Sequence, residues 1–320
     1  MRVLVTGMGG ELGTRVAQLL EEETAVTEIV GIDFVPPRRR LRRAEFRRID
    51  PLQRDRLRDF VLEFAPTAVA HFGVYEPASR MGPAIAAQRT ELCTVVALSA
   101  AARAGRLERV VVRSGLEVYG RGPGSVFVPD EMVPPAPATP YGVSLLQVEA
   151  VAAGLGRRHG VSITPLRYAP VVGSHVPSPL GRLLRLPVVP VSATSDPPFQ
   201  LLHPEDACAA MVRAVLTDYD GPLNIVGSDA ASPWQAVRLG GRIPLPVAPL
   251  LWGWAARVVD FAGSAIAPHV VELLRYGCTG SGQRALDVLG LAPPRPTQQV
   301  LTELYEWADI VSLTPNRAVA

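Results

Sequence analysis

Apolar residues along the chain fall in short blocks whose period changes. Arg2-Val3-Leu4-Val5 is a compact apolar run that predicts a buried parallel strand. From Thr14 to Glu22, Val16, Leu19 and Leu20 recur at helical spacing. Glu28-Ile29-Val30-Gly31-Ile32-Asp33 returns to a strand pattern. The alternation continues, with helices predicted over 14–22, 53–64, 83–104, 141–159, 204–217 and 297–308 and strands between them. This is the pattern of an α/β protein with a doubly wound parallel sheet. At 320 residues the chain exceeds the roughly 250–300 that one core usually serves, so one large domain and one smaller one are expected. Proline-rich excursions at Pro129 to Pro140 and Pro177 to Pro198 interrupt the alternation.

The junction between the first strand and the first helix carries the clearest chemistry. Thr6-Gly7-Met8-Gly9-Gly10-Glu11-Leu12-Gly13 places glycines at 7, 10 and 13 where a strand turns into a helix. Glycine permits a tight turn and lets a pyrophosphate approach the backbone, while the helix start offers N–H groups and a positive dipole end. The second strand ends in Asp33, twenty residues after Gly13, where a carboxylate accepts from ribose hydroxyls and repels a 2′-phosphate. Thr6, Gly7, Gly9, Gly10, Glu11, Leu12, Gly13 and Asp33 are therefore candidate cofactor-binding residues of a Rossmann-type fold. NAD is expected before NADP. The competing signal is the run Arg38-Arg39-Arg40-Leu41-Arg42-Arg43, followed by Arg47 and Arg48, which reads as a solvated basic loop or as a grip on a 2′-phosphate. It lacks aromatic interleaving and any RNA-binding motif, so no nucleic acid is expected.

These stretches resemble the extended short-chain dehydrogenase/reductase family of nucleotide-sugar epimerases and dehydratases. The likeness covers nearly the whole chain. Arg48-Ile49-Asp50 is similar to the strand end whose aspartate contacts adenine, and Ala68-Val69-Ala70-His71-Phe72-Gly73 to the fourth strand beside the cofactor. Val110 to Ser114, Glu117-Val118-Tyr119-Gly120 and Pro140-Tyr141-Gly142 resemble the fifth strand, its active-site end and the start of the catalytic helix. The resemblance adds Asp50, Phe72, Gly73 and Tyr141 to the cofactor set. It divides the chain into a cofactor domain, 1–168 plus 200–226, and a smaller C-terminal substrate lobe, 169–199 plus 227–312, with 313–320 as a tail. It implies a small-molecule substrate of the nucleotide-sugar kind, with a homodimer as the expected assembly.

The departures fall in the catalytic set. Tyr141-Gly142-Val143-Ser144-Leu145 has leucine where the family has lysine, and the chain contains no lysine at all. Without a cationic neighbour only about 0.1% of an ordinary tyrosine is ionised at pH 7. The family serine or threonine falls on Gly115, leaving Ser114 as a substitute only if the strand end shifts. Pro51 removes the N–H that normally accompanies the aspartate at 50. Tyr141, Glu117 and Ser114 remain the candidate catalytic residues. Glu117 matches a glutamate that moves protons in dehydrating and decarboxylating members. Three readings compete: an NAD-dependent epimerase/dehydratase-like oxidoreductase with an altered site; a non-catalytic NAD(P)-binding sensor or scaffold; and altered chemistry on an apolar substrate.

The remaining features narrow little. The net charge of +2 favours no partner class. Cysteines at 93, 208 and 278 have no ligand spacing, and the five histidines are scattered, so no metal is expected and the histidines read as core or surface residues. Reduced thiols and the absence of a leader before the first strand suit a cytoplasmic protein. The uncharged tract Ile243 to Ala256 is 14 residues long, short of the roughly 20 that span a bilayer, and is expected to be a buried part of the substrate lobe.

Overall fold

The computed structural model of the chain describes residues 1–173, 175–253 and 266–310, and for 307–310 only the backbone. Seven parallel strands form the main sheet: β1 (Arg2–Thr6), β2 (Glu28–Asp33), β3 (Glu45–Arg48), β4 (Ala68–His71), β5 (Arg109–Gly115), β6 (Ser162–Tyr168) and β8 (Leu223–Ile225), in the order β3-β2-β1-β4-β5-β6-β8. Val3, Leu4 and Val5 of β1 are fully buried, because parallel strands are covered on both faces. One face carries α1 (Glu11–Leu20) and α6 (Pro204–Leu216), joined by the Arg15–Glu205 ion pair at 2.8 Å. The other carries α2 (Arg54–Phe64), α3 (Pro83–Arg103) and α4 (Pro140–His159). The strand order reverses between β1 and β4. A cleft therefore opens at the carboxyl ends of the strands there, the usual ligand position in such sheets.

Helix starts follow local chemistry. The helices α3, α4 and α6 open on proline, whose fixed φ and missing N–H suit the first helical turn. In α4, Thr139 caps the start by accepting from the Gly142 N–H at 3.3 Å, and Gly160 ends the helix in the left-handed region at φ 68. This sets Tyr141 in the first turn, against the end of β5. The long helices lie within a few residues of the sequence expectation. The first begins at Glu11 rather than 14, because Gly10 already serves as its N-cap.

Beyond the main sheet, β7 (Val188–Ser192) and β9 (Ile243–Val247) pair in parallel as a second, two-stranded sheet. Short helices accompany it: α5 (Pro179–Leu184), α7 (Pro233–Leu239), α8 (Pro268–Tyr276) and α9 (Gln283–Leu289), before the terminal α10 (Thr297–Ile310). The apolar tract from Ile243 differs from its expected burial. Ile243, at the start of β9, is 63% exposed and Leu250, in the single helical turn after it, 97%, while Val247 and Trp252 are buried; 254–256 lie outside the described residues. Among the described residues, no helix is long and apolar enough to cross a membrane. Cys93, Cys208 and Cys278 are free and buried.

Candidate functional site

The cleft is open to solvent, has a cavity volume of about 110 Å³, and is lined at one end by Gly7, Gly10, Leu12, Gly13 and Asp33 and at the other by Val74, Glu76 and Arg113. Its floor is the glycine turn. Gly7 takes φ +70, and a Cβ there would stand 2.5 Å from the Phe72 carbonyl oxygen. A Cβ on Gly9 would stand 1.9 Å from the Val35 carbonyl oxygen. These glycines let three strand ends meet beneath the cleft. Thr6 ties two of them together: its hydroxyl shares a 2.8 Å hydrogen bond with His71 Nδ1 and accepts from the Gly73 N–H at 3.1 Å. Phe72, between them, lines the cleft. Gly10 caps α1 without any side-chain hydrogen bond, so the first-turn N–H groups of that helix remain for a ligand.

Asp33 is buried at the end of β2. Its Oδ2 accepts from the Gly9 N–H at 3.0 Å and its Oδ1 from the Phe34 N–H at 2.7 Å. Burial pushes its pKa up to about 6, against the backbone hydrogen bonds and the charge of Arg80, which would lower it. The arginine-rich loop folds back on its own chain. Arg39 pairs with Glu11, Arg47 with Glu45, and Arg48 donates to the Phe34 carbonyl. Arg43 donates to the carbonyls of Leu20, Glu21, Glu23 and Val26, at the negative end of α1. Arg80 is the arginine that lines the cleft beside Asp33. Asp50 stands away from the cleft lining. Its carboxylate is held by Arg89 at 2.7 Å, and Arg89 in turn lies 4.2 Å over the Phe34 ring.

At the other end, Tyr141 is buried, and burial raises its phenol above the ordinary range while the nearby Arg113 charge opposes the rise. Leu145, one turn further along α4, is fully buried. It packs towards Gly115: a Cβ on that glycine would stand 3.2 Å from Leu145 Cδ1 and only 2.2 Å from Glu117 Oε2. The Glu117 carboxylate thus fills the volume that a hydroxyl-bearing side chain at 115 would need. Burial raises its pKa, with His269 acting against the rise.

Ser114 is not brought to Tyr141. It donates to Glu149 at 2.5 Å, and Glu149 pairs with buried Arg167 at 2.7 Å. Arg167 also donates to the Tyr119 hydroxyl at 2.9 Å, which donates to Asn224 at 2.9 Å. Glu149 lies about two turns along α4 from Tyr141, so the Ser114 hydroxyl joins a buried network further down that helix. Thr90 accepts from the Tyr75 N–H at 2.9 Å, a structural role.

Three side chains at this end were not among the sequence candidates. Arg113 left one signal, a cation at the end of an otherwise apolar strand. Glu76, in the loop after β4, left none. His269 left none either: it is buried, within the core-or-surface expectation, and its ring lies 4.8 Å from that of Tyr141 at 46°, with its Nε2 3.1 Å from Glu76 Oε1.

Comparison with known proteins places this arrangement. An uncharacterized protein of Mycobacterium tuberculosis (strain ATCC 25618 / H37Rv) is 31% identical over 318 aligned positions, covering 95% of this chain and 83% of that protein. The UDP-glucose 4-epimerase of Thermotoga maritima, solved with UDP-glucose, superposes with a TM-score of 0.75 at 20% identity, covering 97% of this chain and 99% of that one. The UDP-glucuronic acid 4-epimerase of Bacillus cereus, solved with NAD, gives 0.73 at 20%, with the same coverage of 97% and 99%. At such identities the solved structures speak for the fold. The profile of the NAD dependent epimerase/dehydratase family matches residues 3–225, and with it the chain is a member of that family.

Proposed function

We propose that the chain binds NAD in the cleft and acts as an epimerase/dehydratase-like oxidoreductase on a nucleotide sugar or a related hydroxylated substrate. The observation that carries this is the uncapped start of α1, facing a cleft that also holds Asp33 and reaches Glu76 and Arg113, the first of which also lines the small chamber of Glu117. The glycine turn at 7–13 receives the pyrophosphate, and Asp33 accepts from the ribose hydroxyls. Bound there, NAD supplies a reversible two-electron oxidation of a carbinol. Glu117 holds a carboxyl with raised pKa where it can take or give a proton, and Tyr141 offers a hydroxyl for hydrogen bonding. The described parts of 169–199 and 227–312 are assigned to the substrate lobe; Val176, Pro177 and His269 bring it to this end. Support comes from family membership and from neighbours solved with NAD and UDP-glucose.

One observation favours a second reading, a non-catalytic NAD-binding sensor. Leu145 seals the lysine position with fully buried apolar packing, and the Tyr141 phenol is held above its ordinary range. Calorimetry with NAD and NADP, followed by absorbance of reduced nicotinamide across a nucleotide-sugar panel, separates the two. Reduction supports the enzyme. Tight NAD binding with no reduction supports the sensor. Failure of either dinucleotide to bind overturns both.

A further inference from the structure

We propose that His269, held by Glu76 and laid against the Tyr141 ring, is a second proton-exchanging group for the substrate beside Glu117. This rests on the enzymatic reading above. His269 and Glu76 line a small chamber of about 20 Å³, room for a single water, together with Glu117, Arg121 and Glu272. Glu76 also lines the dinucleotide cleft, so the chamber adjoins the place proposed for the cofactor. The chamber is closed otherwise by apolar side chains such as Leu116, Leu180 and Leu273.

The geometry fixes the roles within the pair. An ionised carboxylate only accepts hydrogen bonds, so the 3.1 Å contact makes Nε2 the donor and leaves Nδ1 with its lone pair. Nδ1 has no hydrogen-bond partner among the described residues. A carboxylate that orients an imidazole and stabilises its charged form is the arrangement of a working general base. Groups face the ring from every side: Glu76 from the loop after β4, Arg113 from β5, Glu117 and Arg121 from the segment after it, Tyr141 from α4 and Glu272 from α8. Burial by itself lowers the imidazole pKa, but the bond to Glu76 and the charges of Glu76, Glu117 and Glu272 outweigh it and the net direction is up. Tyr141 is thereby relieved of ionising, and its ring serves as the platform that holds His269 in place.

The step balances. With NAD bound, the substrate carbinol would lose its O–H proton to Nδ1 through a water of the size the chamber admits, and its C–H hydrogen, with the bonding electron pair, to the cofactor, which would supply the two-electron oxidant. The carbinol carbon would become a carbonyl as the cofactor takes the hydride, and the imidazolium would keep the proton for the return step. Carbinol oxidation then speeds up as pH rises through the His269 midpoint, because only the neutral ring accepts.

The test uses the full chain labelled with 15N-histidine, with the His269 resonances assigned by their loss in His269→Gln. We expect a midpoint above the ordinary value of about 6.5, falling in Glu76→Gln by about tenfold or more in proton affinity. An ordinary or lowered midpoint, or one unmoved by Glu76→Gln, overturns the pairing. In parallel, NAD with UDP-glucose and with UDP-glucuronic acid is followed by single-turnover absorbance of the reduced nicotinamide. His269→Gln should slow reduction by roughly 100-fold or more and abolish the rising pH limb, with NAD affinity unchanged. Retention of rate and limb overturns the proposal. If His269→Gln does not fold, Glu76→Gln carries the kinetic test, its limb moving to lower pH. If the wild type reduces nothing with these probes, the enzymatic reading fails for them. The pair is then judged by the titration alone.

Discussion

The two ends of the cleft were shaped by different constraints. At the glycine end, backbone does the work: Gly7 and Gly9 let strand ends touch, and α1 presents N–H groups that no side chain supplies. Backbone geometry tolerates few substitutions, so this end keeps the family pattern. At the Tyr141 end, side chains do the work, and side chains can be exchanged in sets. Gly115, Glu117 and Leu145 fit one another, and Arg113, Glu76 and His269 surround Tyr141 with charge. A site made of backbone is preserved or lost, whereas a site made of side chains can be rebuilt.

The comparison can be broken most severely at the backbone end. Gly9→Ala places a methyl 1.9 Å from the Val35 carbonyl oxygen, so the turn must open. A loss of about 3 kcal/mol in urea unfolding is expected, together with failure to bind NAD by calorimetry. If Gly9→Ala retains both, backbone closeness is not what preserves this end. Next in size is acidity. The Asp33 pKa is raised to about 6 from 3.8 in the folded chain. The raised value means that this group's contribution to stability is complete below 3.8 and is lost as pH rises through about 6, a difference of roughly 3 kcal/mol. The cofactor-free protein should therefore gain stability relative to Asp33→Asn as pH falls from 7 to 4. NAD affinity should decline over the same window, because the protonated carboxyl loses acceptor capacity.

The side-chain end should respond as a set. Gly115→Ser alone should cost about 2 kcal/mol by displacing the Glu117 carboxylate, and most of that should return in Gly115→Ser with Glu117→Ala. Additive costs in this cycle would show that the two residues do not share the space. The smallest effect is expected from Ser114→Ala. It removes one hydrogen bond to Glu149, costs about 1 kcal/mol, and should leave NAD affinity and any turnover untouched. A loss of turnover there would return the hydroxyl to the active site.

Legibility divides along the same line. The β1–turn–α1 unit, Asp33 and the long helices could be read because glycine spacing and apolar period are local signals. Four short helices, α5, α7, α8 and α9, escaped notice; at six to nine residues they show too few turns for a period. Ser114 and Gly115 were recognised as altered, but which of them faces Tyr141 depends on strand register. Asp50 was expected at adenine, yet Arg89, 39 positions away, holds it. His269 lies 128 positions beyond Tyr141, and only the tertiary fold brings their rings together.

The Glu117 carboxylate lying over Gly115 acts as a ratchet in the history of the site. A single mutation that restored a hydroxyl at 115 would meet an oxygen 2.2 Å from its Cβ. A lysine at 145 would have to place its charge where Leu145 is fully buried. Either reversion has to move a neighbour as well, so relatives are expected to keep or change the three positions together.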